Sequence, residues 1–146
     1  MSAYTTQAAI LGEIQLSDLI QLTDDDRQGA VNQAILDQVI ASASGYIDSK
    51  LANIYGEQLP FNPAPAAVAN MALTVACYRL YRRRNIPDEK NNFYPDWVDV
   101  KEFLDKVNKG EAMIDDVVSR DFAQVAYTAR SSTFGTLGSN FPSTTI

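Results

Sequence analysis

The stretch from Val68 to Tyr81 constrains this chain more than any other. Val68, Met71, Ala72, Val75 and Ala76 recur at helical spacing, and Leu73, Cys77, Leu80 and Tyr81 widen the same face. Side chains that return every three or four residues lie along one side of a helix and need a partner surface. So few polar residues interrupt this run that its helix is expected to be the most buried of the fold. Asn62-Pro63-Ala64-Pro65 reads as the entry. A proline in the first turn gives up an N–H that would be unpaired there anyway. Arg82-Arg83-Arg84-Asn85, with Pro87 just beyond, closes the helix.

The partner surfaces are visible on both sides. A long helix is expected from about Ala30 to Asn53, where Val31, Ile35 and Val39 repeat and Leu36, Ile40, Ile47 and Leu51 continue the stripe. Gly45 inside it costs roughly 1 kcal/mol relative to alanine. Before it, Ser17 to Leu22 reads as a short helix with Ser17 as its N-cap, followed by a polar turn from Thr23 to Asp26. After the central helix, Asp88 to Asn92 reads as a polar loop. A further helix is expected from about Pro95 to Lys109, with Trp97, Val100, Leu104 and Val107 on one face and Phe103 beside it. Gly110 is a natural stop. The expected fold is therefore mostly α, a small bundle of about four helices over residues 1–114.

Residues 115–146 have a different character. Ten of these 32 positions are Ser or Thr. Ala123, Val125, Tyr127 and Ala129 alternate as in a half-buried strand. Phe134, Phe141 and Ile146 stand alone in a polar tail. This segment is expected to be a C-terminal arm, extended or partly β, and partly disordered in isolation. Spaced aromatics make Phe134 and Phe141 candidate docking residues. On composition, a plain disordered end stands beside that reading with equal weight.

The chemistry-bearing residue types are sparse. The chain contains no histidine, which removes Ser-His-Asp and Cys-His nucleophilic systems and His-based zinc sites. Its single cysteine, Cys77, lies within the apolar helix and reads as a small core side chain. One cysteine allows no intramolecular disulfide and fits manufacture in a reducing cytosol. Asp24-Asp25-Asp26 lacks the alternating ligand spacing of a calcium loop and reads as a solvated turn. No phosphate-binding or dinucleotide glycine motif is present. No catalytic residue, cofactor or metal is expected, and the chain is not expected to be an enzyme. Residues 1–12 carry no basic residue and only a short apolar run, so they do not read as a signal peptide. No apolar run reaches about 18 residues, so no transmembrane helix is expected.

Charge is concentrated in one place. The chain carries 12 basic and 18 acidic side chains, net −6. Residues 1–78 sum to −6, residues 79–84 to +4, and residues 85–146 to −4. The basic spot is Arg79, Arg82, Arg83 and Arg84. One reading is that these arginines offset the negative end of the helix dipole, worth roughly 0.3–1 kcal/mol per charge. Two arginines would suffice for that. The other reading, of equal weight, is contact with an acidic partner. One candidate is the Asp24, Asp25, Asp26 turn of a neighbouring copy, a head-to-tail contact that closes into a ring when the rotation permits. The other is DNA passing through such a ring, held weakly because the protein as a whole is acidic.

Three stretches, in this order, resemble a known family. They are Asp18-Leu19-Ile20-Gln21-Leu22-Thr23-Asp24; Ala43-Ser44-Gly45-Tyr46-Ile47-Asp48-Ser49-Lys50-Leu51 with Tyr55 and Leu59-Pro60; and Ala76-Cys77-Tyr78-Arg79-Leu80-Tyr81 with Phe103-Leu104 and Lys109-Gly110. Their order and spacing resemble the Mu-like phage family of small helical head–tail connector (neck adaptor) proteins over about residues 17–114. The resemblance implies a structural subunit of the virion neck, made in the bacterial host cytoplasm. It implies a homo-oligomeric ring, twelve-fold to match the portal, that extends the DNA channel and helps retain the genome. Its implied partners are further copies of itself, the portal protein and a tail or tail-completion protein, with DNA as a weakly held channel content and no membrane. Residues 24–26 and 79–84 are then the candidate inter-subunit or portal contacts. From composition alone, a non-catalytic helical module that binds or regulates a soluble protein stays open as the second class, and a carboxylate enzyme as the third.

Overall fold

The computed structural model describes residues 3–114. They form five α-helices: α1 (Gln7–Leu11), α2 (Leu16–Thr23), α3 (Gln33–Tyr55), α4 (Ala66–Arg82) and α5 (Tyr94–Asn108). No strand occurs among the described residues. The fold is mostly helical, as the periodicity requires. The alternating segment around Val125 and the arm residues Phe134 and Phe141 lie outside the described residues.

Helix α4 is the centre of the bundle. Val68, Ala72, Val75, Ala76, Cys77 and Leu80 are fully buried along it. Its neighbours are α3, which contributes Leu36, Ala43, Ile47 and Leu51, and α5, which contributes Leu104 and Val107. Complete burial of each aliphatic side chain is worth roughly 1.5–3 kcal/mol. Helix α3 also packs directly on α5, so the three long helices form a closed triangle of contacts. Burial pushes the Cys77 thiol up to about 12, which keeps it neutral as a core side chain.

Three boundaries differ from the periodic reading, each for a local reason. Ser17 is not the cap of α2. The helix starts at Leu16 with Gln15 in the cap position and no side-chain cap bond, while Ser17 is exposed. The buried Leu19 and Leu22 hold the phase of this helix instead. Helix α3 starts at Gln33 rather than Ala30, because Asn32 Oδ1 accepts from Ile35 N at 3.2 Å and caps it. Arg27 and Gly29 have positive φ, which keeps the preceding residues in a loop. Helix α1 was not expected. Its five residues are too few to show a period, although Thr6 Oγ1 caps it by accepting from Ala9 N at 3.2 Å.

Two hydroxyls tie the peripheral segments to the bundle. Thr23 Oγ1 donates to Leu19 O at 2.9 Å and accepts from Asn32 N at 3.1 Å, joining the end of α2 to the start of α3. Tyr4 OH donates to Asp48 Oδ1 and accepts from Phe61 N at 3.0 Å. Tyr4 N donates to the buried Ser44 Oγ at 3.0 Å. The N-terminal segment is thereby strapped across α3 onto the connection to α4. At the other end, Gly110 with φ of 80° closes α5, and Ile114 N donates to Tyr55 OH at 3.0 Å.

Tyr4→Phe keeps the ring but leaves the buried Phe61 N–H without its acceptor. It is expected to lower the unfolding free energy by about 1–3 kcal/mol in a urea titration. An unchanged midpoint would show that the strap does not hold the bundle together.

Candidate functional site

Helical spacing sets Arg79, Arg82 and Arg83 on neighbouring positions of the last turns of α4. The structure then divides the four arginines into two pairs. Arg83 Nη1 donates to Leu22 O at 2.7 Å and to Asp25 Oδ1 at 3.2 Å, and Arg83 Nη2 donates to Asp25 Oδ2 at 2.8 Å. Arg84 Nη2 lies 3.0 Å from Asp25 Oδ1. Both members of this pair hold the acidic turn of their own chain. Arg83 also satisfies a carbonyl at the end of α2, so its dipole role serves that helix as well as its own.

The acidic turn is built from within. Asp24 Oδ1 accepts from Gln28 N at 2.9 Å and Asp24 Oδ2 accepts from Gly29 N at 2.7 Å. These backbone donors hold the Asp24 carboxyl below its usual range. The Arg83 hydrogen bond does the same for Asp25. Asp26 is exposed. The sequence reading set this turn against the basic spot of another copy. Here Asp25 meets Arg83 and Arg84 of the same chain, because α2 packs beside α4 and delivers its C-terminal turn there.

Among the described residues, the second pair has no such carboxylate. Arg79 donates to Ser42 Oγ on α3 and lies over the Tyr46 ring, 5.3 Å from its centroid. Burial pushes the Arg79 guanidinium below its ordinary value, although an arginine stays charged in proteins. Arg82 Nη1 reaches Tyr78 OH at 3.4 Å, and that hydroxyl donates to Asp88 Oδ1 at 2.9 Å. Burial first, then the Asp88 hydrogen bond, raises the Tyr78 phenol. The ion pairs among the described residues are Lys50–Asp105, Arg83–Asp25 and Arg84–Asp25, and neither Arg79 nor Arg82 takes part in them.

Between these arginines and α5 lies a groove of about 330 Å³ lined by Tyr78, Arg79, Arg82, Arg83 and Trp97. Its wall is rigid. Tyr78 stacks on Trp97 with centroids 5.0 Å apart and planes 8° apart, and Tyr46 meets Trp97 at 5.3 Å. Guanidinium groups beside flat aromatic faces suit a partner that brings a carboxylate with some apolar surface. The sequence reading found the arginines and missed Tyr46, Tyr78 and Trp97 as part of the same surface. The spacing of Tyr78 and Arg82, one turn apart, was the available signal. The involvement of Tyr46 and Trp97 depends on how three helices pack.

Among the described residues, no group of three or more His, Cys, Asp or Glu side chains is arranged to hold a metal ion. A family model described as Bacteriophage Mu, Gp36 matches residues 4–129. That span is wider at both ends than the stretch that carries the resemblance, and it includes the Tyr4 strap. No curated protein matches the chain.

The acidic turn carries a pH signature of known sign. Both carboxyls titrate below the ordinary value of 3.8 in the folded chain. The order they impose is therefore complete above that value and is lost as pH falls through the lower, folded values. Amide-exchange protection at Gln28 and Gly29 is expected to be flat from about pH 7 to about pH 5 and to fall in more acid solution. Asp24→Asn should weaken protection at both amides already at neutral pH. Equal protection in variant and wild type would show that Asp24 does not organise the loop.

Proposed function

The chain belongs to the bacteriophage Mu Gp36 family, and on that premise we propose that it is a non-catalytic head–tail connector subunit. In this reading, copies form a homo-oligomeric ring between portal and tail in the neck of the virion. The ring extends the DNA channel and helps retain the genome. The observation that carries the reading is the family match over residues 4–129, which spans the whole described bundle.

The physical character of the chain supports it. Three long helices closed on one another make a stiff wall element. The groove beside α4 offers two half-engaged arginines to a neighbour. Two such arginines are too few for tight binding of DNA and would act at most as a channel lining. Portal and tail proteins are the other proposed partners, and the C-terminal arm with Phe134 and Phe141 is the proposed docking element. Twelve-fold symmetry is the expectation from the portal. No helix among the described residues is long and apolar enough to cross a membrane, and no membrane partner is proposed.

Electron microscopy of lysates from a phage or prophage lacking this gene tests the reading. Separate tails and tail-less heads, unjoined or leaking DNA, are expected. Complete infectious particles would overturn the connector assignment in favour of a soluble-partner module.

A further inference from the structure

Helix α3 has a recess on each of two sides, and the two have opposite chemistry. One is the arginine groove described above, which borders α3 at Ser42 and Tyr46 through Arg79. The other is a recess of about 260 Å³ between the N-terminal segment and the first half of α3, lined in part by Thr5, Gln33, Asp37, Ile40 and Ala41. Asp37 and Tyr46 are nine residues apart, which is about 180° round a helix of 3.6 residues per turn. The two recesses thus flank α3 on roughly opposite sides.

The second recess has unmet bonding capacity. Asp37 is exposed and takes part in no ion pair among the described residues. Its Oδ1 accepts from Gln33 Nε2 at 2.9 Å, which holds the carboxylate in a defined orientation. Thr5 is 5% exposed, and its Oγ1 is buried with no hydrogen-bond partner among the described residues. Ile40 and Ala41 give the recess an apolar side.

We propose that these recesses are the two halves of one head-to-tail contact between copies of this chain, with Asp37 of one copy against Arg82 and Arg79 of the next. The proposal rests on the ring reading and assigns the faces that build the ring. A heterologous contact needs two different surfaces on opposite sides of the subunit, and it propagates into a closed ring when the rotation allows. Arginine groove against arginine groove would set like charges face to face, which disfavours a two-fold dimer through that surface. A nucleic-acid backbone is a poorer occupant of the groove. Asp88 is coupled to the groove through Tyr78 OH, and the chain carries a net charge of −6. One carboxylate tolerates that surrounding better than a chain of phosphates does.

Charge exchange tests the contact. Plasmid-borne Asp37→Arg, Arg82→Asp and the double variant would be supplied to the phage lacking this gene, and infectious particles counted. Each single variant is expected to lower the count by roughly a hundredfold or more, since it sets like charges together at every contact of the ring. The double variant restores opposite charges between neighbours and is expected to recover at least about a tenth of the wild-type count. All three should melt like the wild type, because neither side chain is buried. Singles that support normal particle numbers, or a double variant that melts normally and stays inactive, would overturn the assignment of these faces. Either result leaves the connector reading standing, since that falls only if the phage lacking the gene makes complete particles.

Discussion

Helix α4 has almost no side on which water can rest, and this burial organises everything else. A helix apolar over so much of its circumference has to be covered from several directions at once. Helices α3 and α5 supply two covers, and the short α1 and α2 supply more. The covering explains why such short elements persist. Five- and eight-residue helices are marginal alone, but Ile10, Leu19 and Leu22 are buried against the same core. Cys77 belongs to that core, and its raised thiol value reflects the same exclusion of water.

The burial of α4 also decides what happens at its charged end. The helix stays in the core as far as Leu80, and four arginines fall within six positions at its end. Packing sends two of them toward α2 and the acidic turn, where both pair with Asp25. It sends the other two toward α3 and α5, where aromatic rings and hydroxyls meet them and, among the described residues, no ion pair forms. A sequence that looks like one basic patch is therefore two surfaces with different electrical character. The first is paired within the chain and ties a loop down. The second retains positive charge beside a stacked Tyr78–Trp97 wall.

The proposed connector reading asks for a firm subunit with distinct faces, and the same geometry offers both. The closed triangle of long helices supplies the rigidity. Recesses on opposite sides of α3, one with arginines and one with an aspartate that enter no ion pair among the described residues, supply faces that are unlike each other. Unlike faces on one subunit are the condition for repeated head-to-tail addition. Such a surface asks for exposed groups that remain incompletely satisfied until a neighbour arrives.

Much of the bundle was legible in the sequence. The apolar period located α2, α3, α4 and α5 to within a few residues, and Gly110 marked the end of α5, because burial on one face leaves a repeating trace. The resemblance in three ordered stretches was legible too, and the family match bears out the phage family. The cap of α2, the start of α3 and the existence of α1 were not legible, since a single hydrogen bond or a few buried side chains settle them. The partners of charged groups were decided by tertiary structure alone. Sequence spacing puts Arg79, Arg82 and Arg83 on one helix face, but it cannot say that Asp25, 58 residues from Arg83, lies 2.8 Å from it. Periodicity is a property of one helix. Pairing of charges depends on the angles at which helices cross, and those angles are set by how side chains of several helices fill one core.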